Sequence, residues 1–62
     1  MDSKYYDATI ICKDGSAKKY HTIDKFKLTT FELWAASKFP DVCHINYYSK
    51  SGKFIVQHKI SV

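Results

Sequence analysis

The chain has no arginine, a single glutamate, one proline, two glycines and two cysteines among its 62 residues. Without arginine there is no planar, bidentate fork for phosphate or guanine, so the ten lysines behind the formal net charge of +4 act as point charges. They favour solubility and unspecific attraction to polyanions, and name no ligand. One glutamate excludes a glutamate pair for acid-base work, and two glycines exclude a glycine-rich phosphate loop. No Ser-His-Asp or Cys-His set stands at a known catalytic spacing; Cys43 and His44 are neighbours, but consecutive strand side chains point to opposite faces. The expectation is a protein that is not an enzyme.

Cys12 and Cys43 allow one bridge at most and lie in strand-like runs without the dense spacing of a disulfide scaffold, so both are expected to be reduced, buried small hydrophobes. His21, His44 and His58 lack short ligand spacing with each other or with the cysteines, and neither metal nor cofactor is expected. No apolar run approaches membrane-spanning length, and the opening "MDSKYYD" is charged and short, unlike a signal peptide. The expected location is the cytoplasm, with no membrane partner.

What is present is strand-forming and aromatic. There is no repeat or linker, so residues 1–62 form one small domain, a size at which only about 60% of the unfolded chain's surface is buried. "YYDATIICK" (5–13) is rich in β-branched and aromatic residues and runs into Asp14-Gly15, a dipeptide suited to a tight hairpin, with "SAKKYHTI" (16–23) as the returning strand. In "KLTTFELWAASKFP" (27–40), Thr29 with Glu32 three residues on reads as a capping box and Leu28 with Leu33 as a hydrophobic staple. Pro40 marks the stop, giving a helix from Thr30 to about Lys38. "DVCHINYYS" (41–49), with Cys43, Ile45 and Tyr47 on one face, and "FIVQHKISV" (54–62), with Phe54, Val56, His58, Ile60 and Val62 on one face, form a second hairpin around "KSGK". The expected fold is α+β: an antiparallel four-stranded sheet in the order strand-strand-helix-strand-strand, with one short helix on one face.

At about 100° per residue, Phe31, Ala35 and Phe39 share one side of the helix, while Trp34 leaves on the opposite flank. An ordinary surface helix has one apolar stripe and one polar face, so two apolar sectors call for two things to pack against: the sheet and a partner protein. Phe31, Glu32, Trp34 and Ala35 are the candidate partner-binding residues, with the indole as anchor. A second class is open. Lysines and tyrosines interleave, and Lys18, Lys19, Tyr20, Tyr47, Tyr48 and Lys50 are the candidate residues of a single-stranded nucleic-acid binder that stacks bases on a sheet. The same residue types are also ordinary in strands and at strand edges.

"YDATII" (Tyr6 to Ile11), a hairpin of similar length and "LTTFEL" (Leu28 to Leu33) resemble the small uracil-DNA glycosylase inhibitors of podovirus-type Bacillus phages, from about Tyr6 to Ile45. The resemblance implies a homodimer acting on a host uracil-DNA glycosylase. In that family a helix from each subunit builds a shared apolar pocket that captures a leucine the enzyme pushes into DNA, and acidic side chains nearby imitate phosphates. Phe31 and Glu32 match the helix motif, and Trp34 or Ala35 falls near the pocket's aromatic position. Two features depart from the family pattern: this chain is net positive, and Phe54 to Val62 has no counterpart.

Overall fold

The computed structural model describes residues 4–60 and holds four strands and one helix: β1 (Tyr5–Cys12), β2 (Ala17–Asp24), α1 (Leu28–Lys38), β3 (Val42–Tyr48) and β4 (Phe54–Lys59). The strands form one antiparallel sheet in the order β2-β1-β3-β4. Since β2 and β3 both run antiparallel to β1, they run parallel to each other, and α1 makes the crossover between them.

Both hairpins turn where glycine permits positive φ, at Gly15 (φ 89°) and Gly52 (φ 94°). The first is tightened by Asp14, whose Oδ1 accepts the Ser16 N–H at 2.9 Å; that bond holds the Asp14 carboxyl below its usual range.

One face of the sheet is covered. Ala8, Ile10 and Cys12 of β1 and Val42, Ile45 and Tyr47 of β3 meet Ala35 of α1 in the core, with Leu28, Phe31, Ala36, Phe39, Tyr20, Val56 and Ile60 around them. Ile10 lies opposite Ile45, and Ala8 opposite Tyr47, so the two central strands supply the middle of the core. Fully burying an isoleucine stabilises by about 1.5–3 kcal/mol, which makes this pairing of strands the main anchor of so short a chain.

Three irregularities re-aim side chains. Asp7 of β1 faces two residues of β2, His21 and Thr22. Cys43 is the extra residue between β1 and β3, and Ile55 the extra residue between β3 and β4. An extra residue inverts the face on which its neighbours emerge. Val42 therefore takes the core position expected of Cys43, and Cys43 is exposed; the expectation of two buried thiols holds for Cys12 alone. Phe54 likewise leaves the covered face and packs edge-on against Tyr48 at 5.8 Å. Val62, expected beside it, lies outside the described residues.

At the first irregularity Thr22 has φ 61°, a left-handed conformation that a β-branched residue enters at a cost of about 1–2 kcal/mol. Thr22→Gly should remove most of that cost and raise the urea midpoint by an amount equivalent to about 0.5–1 kcal/mol, read in equilibrium unfolding.

The helix also begins differently from expectation. It starts at Leu28, its N-cap is Lys27, and no side chain caps it, so the Thr29–Glu32 capping box does not form. The chain enters the helix through Asp24, whose Oδ1 accepts the Phe26 N–H and whose carbonyl accepts the Lys27 N–H, each at 2.9 Å. Glu32 is occupied elsewhere.

Candidate functional site

The two flanks of α1 differ in chemistry. On the β2 side four aromatic rings cluster, with Trp34 meeting Tyr20 and Phe39 edge-on and Phe31 at a shallow tilt of 30°. The Trp34 ring centre lies 5.4 Å from Tyr20, 5.8 Å from Phe31 and 6.2 Å from Phe39. Such pairs add about 0.5–1.5 kcal/mol each beyond the area they bury. The cluster fixes the indole without burying it: Trp34 remains 42% exposed, and its neighbour Leu33 is 69% exposed. Lys18 lies along the same flank, its Nζ 5.3 Å from the Phe39 ring centre.

On the β4 side, Glu32 Oε2 accepts the Tyr47 hydroxyl at 2.7 Å and lies 2.6 Å from His58 Nδ1. The imidazole in turn packs edge-on against the Tyr47 ring at 5.3 Å. One carboxylate thus ties the helix to β3 and to β4. Burial, and then the bond to Glu32, push the Tyr47 phenol far above its usual pKa of about 10. The fold therefore favours the neutral phenol. Its contribution is complete below the unfolded value and is lost as pH rises above about 10, at up to about 1.4 kcal/mol per pH unit. Urea midpoints measured from about pH 8 to about pH 11 should show this fall, and Tyr47→Phe should flatten it. Beside the network a groove of about 250 Å³ runs between α1 and the end of β4, lined by Thr29, Glu32, Leu33, Ala36, Lys59 and Ile60.

The other face of the sheet has no covering element among the described residues. Lys19, Thr9, Asn46 and Gln57 form one row across it. Next to this row Asp7 Oδ1 accepts Lys50 Nζ at 3.0 Å and lies 3.4 Å from His21 Nδ1. The lysine, more than the histidine, holds the Asp7 carboxyl below its usual range. A shallow cleft of about 290 Å³ opens here between Asp7, Thr9, Lys19, His21, Tyr48 and Gly52. Its one central carboxylate is already internally paired.

The partner-binding set divides on this framework. Trp34 is available to solvent, and Phe31 is half-buried beneath it. Ala35 is wholly buried against the sheet and offers nothing to a partner, a correction that follows from its place at the centre of the inward helix face. Glu32 is committed to Tyr47 and His58. The nucleic-acid set divides too. Lys19, Tyr48 and Lys50 belong to the open face, whereas Tyr20 and Lys18 lie on the helix side. Tyr47 is wholly buried and cannot stack a base. The aromatic platform expected of that set is therefore not assembled on one surface.

Sequence reasoning passed over two participants. Its position near the helix start makes Leu33 a staple candidate, yet it faces solvent. The strand alternation puts His58 on the core face with no role, yet it shares the Glu32 carboxylate. Among the described residues no group of three or more histidine, cysteine, aspartate or glutamate side chains converges as a metal site, and no helix is long and apolar enough to cross a membrane. No protein-family model, curated protein or solved structure matches the chain.

Proposed function

We propose that this domain works by binding another protein through the outward side of α1, with Leu33 and Trp34 as the anchor and Phe31 as its support. The observation that carries the proposal is a tryptophan held by three ring contacts yet left 42% exposed, beside a leucine 69% exposed. Pre-ordered aromatic and aliphatic side chains at the centre of a patch are what interface anchors consist of, because little rotamer freedom remains to be lost on binding.

The resemblance supplies the specific target: a host uracil-DNA glycosylase, inhibited by covering the apolar tip that it inserts into DNA. Hydrophobic burial at about 25 cal/mol per Å² supplies the drive, and a homodimer places two such helices side by side. The groove between α1 and β4 is of a size to take one aliphatic side chain next to Leu33. A uracil-excision assay with rising amounts of this protein, run beside a sizing measurement, tests the target. Inhibition near stoichiometry supports it, and undiminished excision at micromolar excess removes it.

A further inference from the structure

The side that α1 turns to solvent reads Lys27, Thr30, Leu33, Trp34, Ser37 and Lys38, all exposed and recurring at three- and four-residue intervals. This stripe contains no carboxylate. Its apolar centre has a lysine at each end, and Lys18 of β2 stands on its flank over Phe39, the ring that touches Trp34. The helix's one acid, Glu32, lines the groove on the β4 side of Leu33 together with Lys59, and there Tyr47 and His58 engage its carboxylate. Asp24, in the approach to the helix, already accepts the Phe26 N–H. An apolar anchor with a cationic border is thus what an approaching molecule meets.

We infer that the partner of this stripe presents an apolar side chain inside an acidic border: a leucine- or phenylalanine-bearing acidic segment of another protein. The inference rests on the reading of Leu33 and Trp34 as a docking anchor and names the charge of what docks there. A basic surface would set like charges against Lys18, Lys27 and Lys38, which slows encounter and selects against the complex, whereas an acidic border gains at all three. A phosphate-binding cleft is basic, so this stripe does not imitate DNA. On a glycosylase this requires acidic side chains bordering the DNA-inserting tip itself, so the tip's border, and not the phosphate-binding cleft, is what the stripe would meet.

The experiment uses two synthetic peptides that carry the same Leu-Phe pair and lack tryptophan, one flanked by Asp and Glu and the other by Lys. Emission of Trp34, the chain's single tryptophan, reports coverage of the stripe. The acidic peptide should shift the emission to shorter wavelength, bind about tenfold more weakly when salt rises from about 50 to about 300 mM, and lose about tenfold again in the Lys27→Glu, Lys38→Glu double variant. The basic peptide should leave the emission unchanged. Three results overturn the inference: tighter binding of the basic peptide, acidic-peptide binding indifferent to the double variant, or an emission shift with phosphatidylglycerol vesicles and neither peptide. If the glycosylase is bound, the double variant separates the two readings. Weaker binding supports an acidic border, while tighter binding overturns it and leaves the docking anchor standing. Loss of glycosylase binding in Trp34→Phe, with the double variant unchanged, likewise sinks the charge assignment alone.

Discussion

Glu32→Ala should destabilise the domain by about 2–3 kcal/mol, and Thr29→Ala by less than about 0.5 kcal/mol. The first figure follows from what Glu32 holds. Its Oε2 takes the hydroxyl of a fully buried tyrosine and meets His58 at 2.6 Å, and removing it leaves the Tyr47 hydroxyl without its acceptor in a water-poor interior. A hydrogen bond to a charged group contributes about 1.5–3 kcal/mol; the His58 bond is discounted because that side chain is 40% exposed and regains water. A capping box predicts another pattern, with Thr29→Ala costing about 1 kcal/mol and Glu32→Ala no more than that. Urea unfolding of the two single variants decides between them. Glu32→Gln, which keeps the shape and one acceptor, should fall between wild type and Glu32→Ala.

Leu33→Asp should abolish partner binding, weakening it by more than about 2 kcal/mol, while changing stability by less than about 0.5 kcal/mol. Leu33 is the cleaner probe of the stripe because it is 69% exposed and makes little of the core. Trp34→Ala should lose a similar affinity, but it also removes ring contacts to Tyr20, Phe31 and Phe39 and so should cost the fold about 1–2 kcal/mol. Measured together by calorimetric titration and thermal unfolding, the pair separates a surface role from a core role. If Leu33→Asp binds as tightly as wild type, the contact lies elsewhere on the molecule.

The strands and the single helix were legible because the signals are local: β-branched runs, Asp14-Gly15 at the first turn, and Pro40 at the helix end. The strand order β2-β1-β3-β4 was not, since it depends on pairing across the chain. The face of β3 and of β4 was misread wherever an extra residue intervened, at Cys43 and Ile55, because nothing in a period-two pattern announces a single insertion. Glu32 was misread for a related reason. Its position next to Thr29 made a cap plausible, but the groups that recruit it, Tyr47 and His58, are 15 and 26 residues away. The division of the lysine and tyrosine set was legible in principle. Lys18-Lys19 and Tyr47-Tyr48 are adjacent pairs within strands, and alternation alone sends their members to opposite faces. Trp34 as anchor is legible from the surplus of apolar circumference; that Leu33 joins it and Ala35 does not depends on which side of the helix the sheet occupies.

Trp34 is the chain's sole tryptophan, so a fluorine-labelled indole reports on one atom cluster at the centre of the stripe. Followed by NMR while a bacterial uracil-DNA glycosylase is added to equimolar amount, its resonance should shift and broaden as the indole leaves water, and should stay unmoved in the Leu33→Asp variant. A wild-type resonance that does not respond, while uracil excision is inhibited, would place the contact on another surface and contradict the docking role of α1.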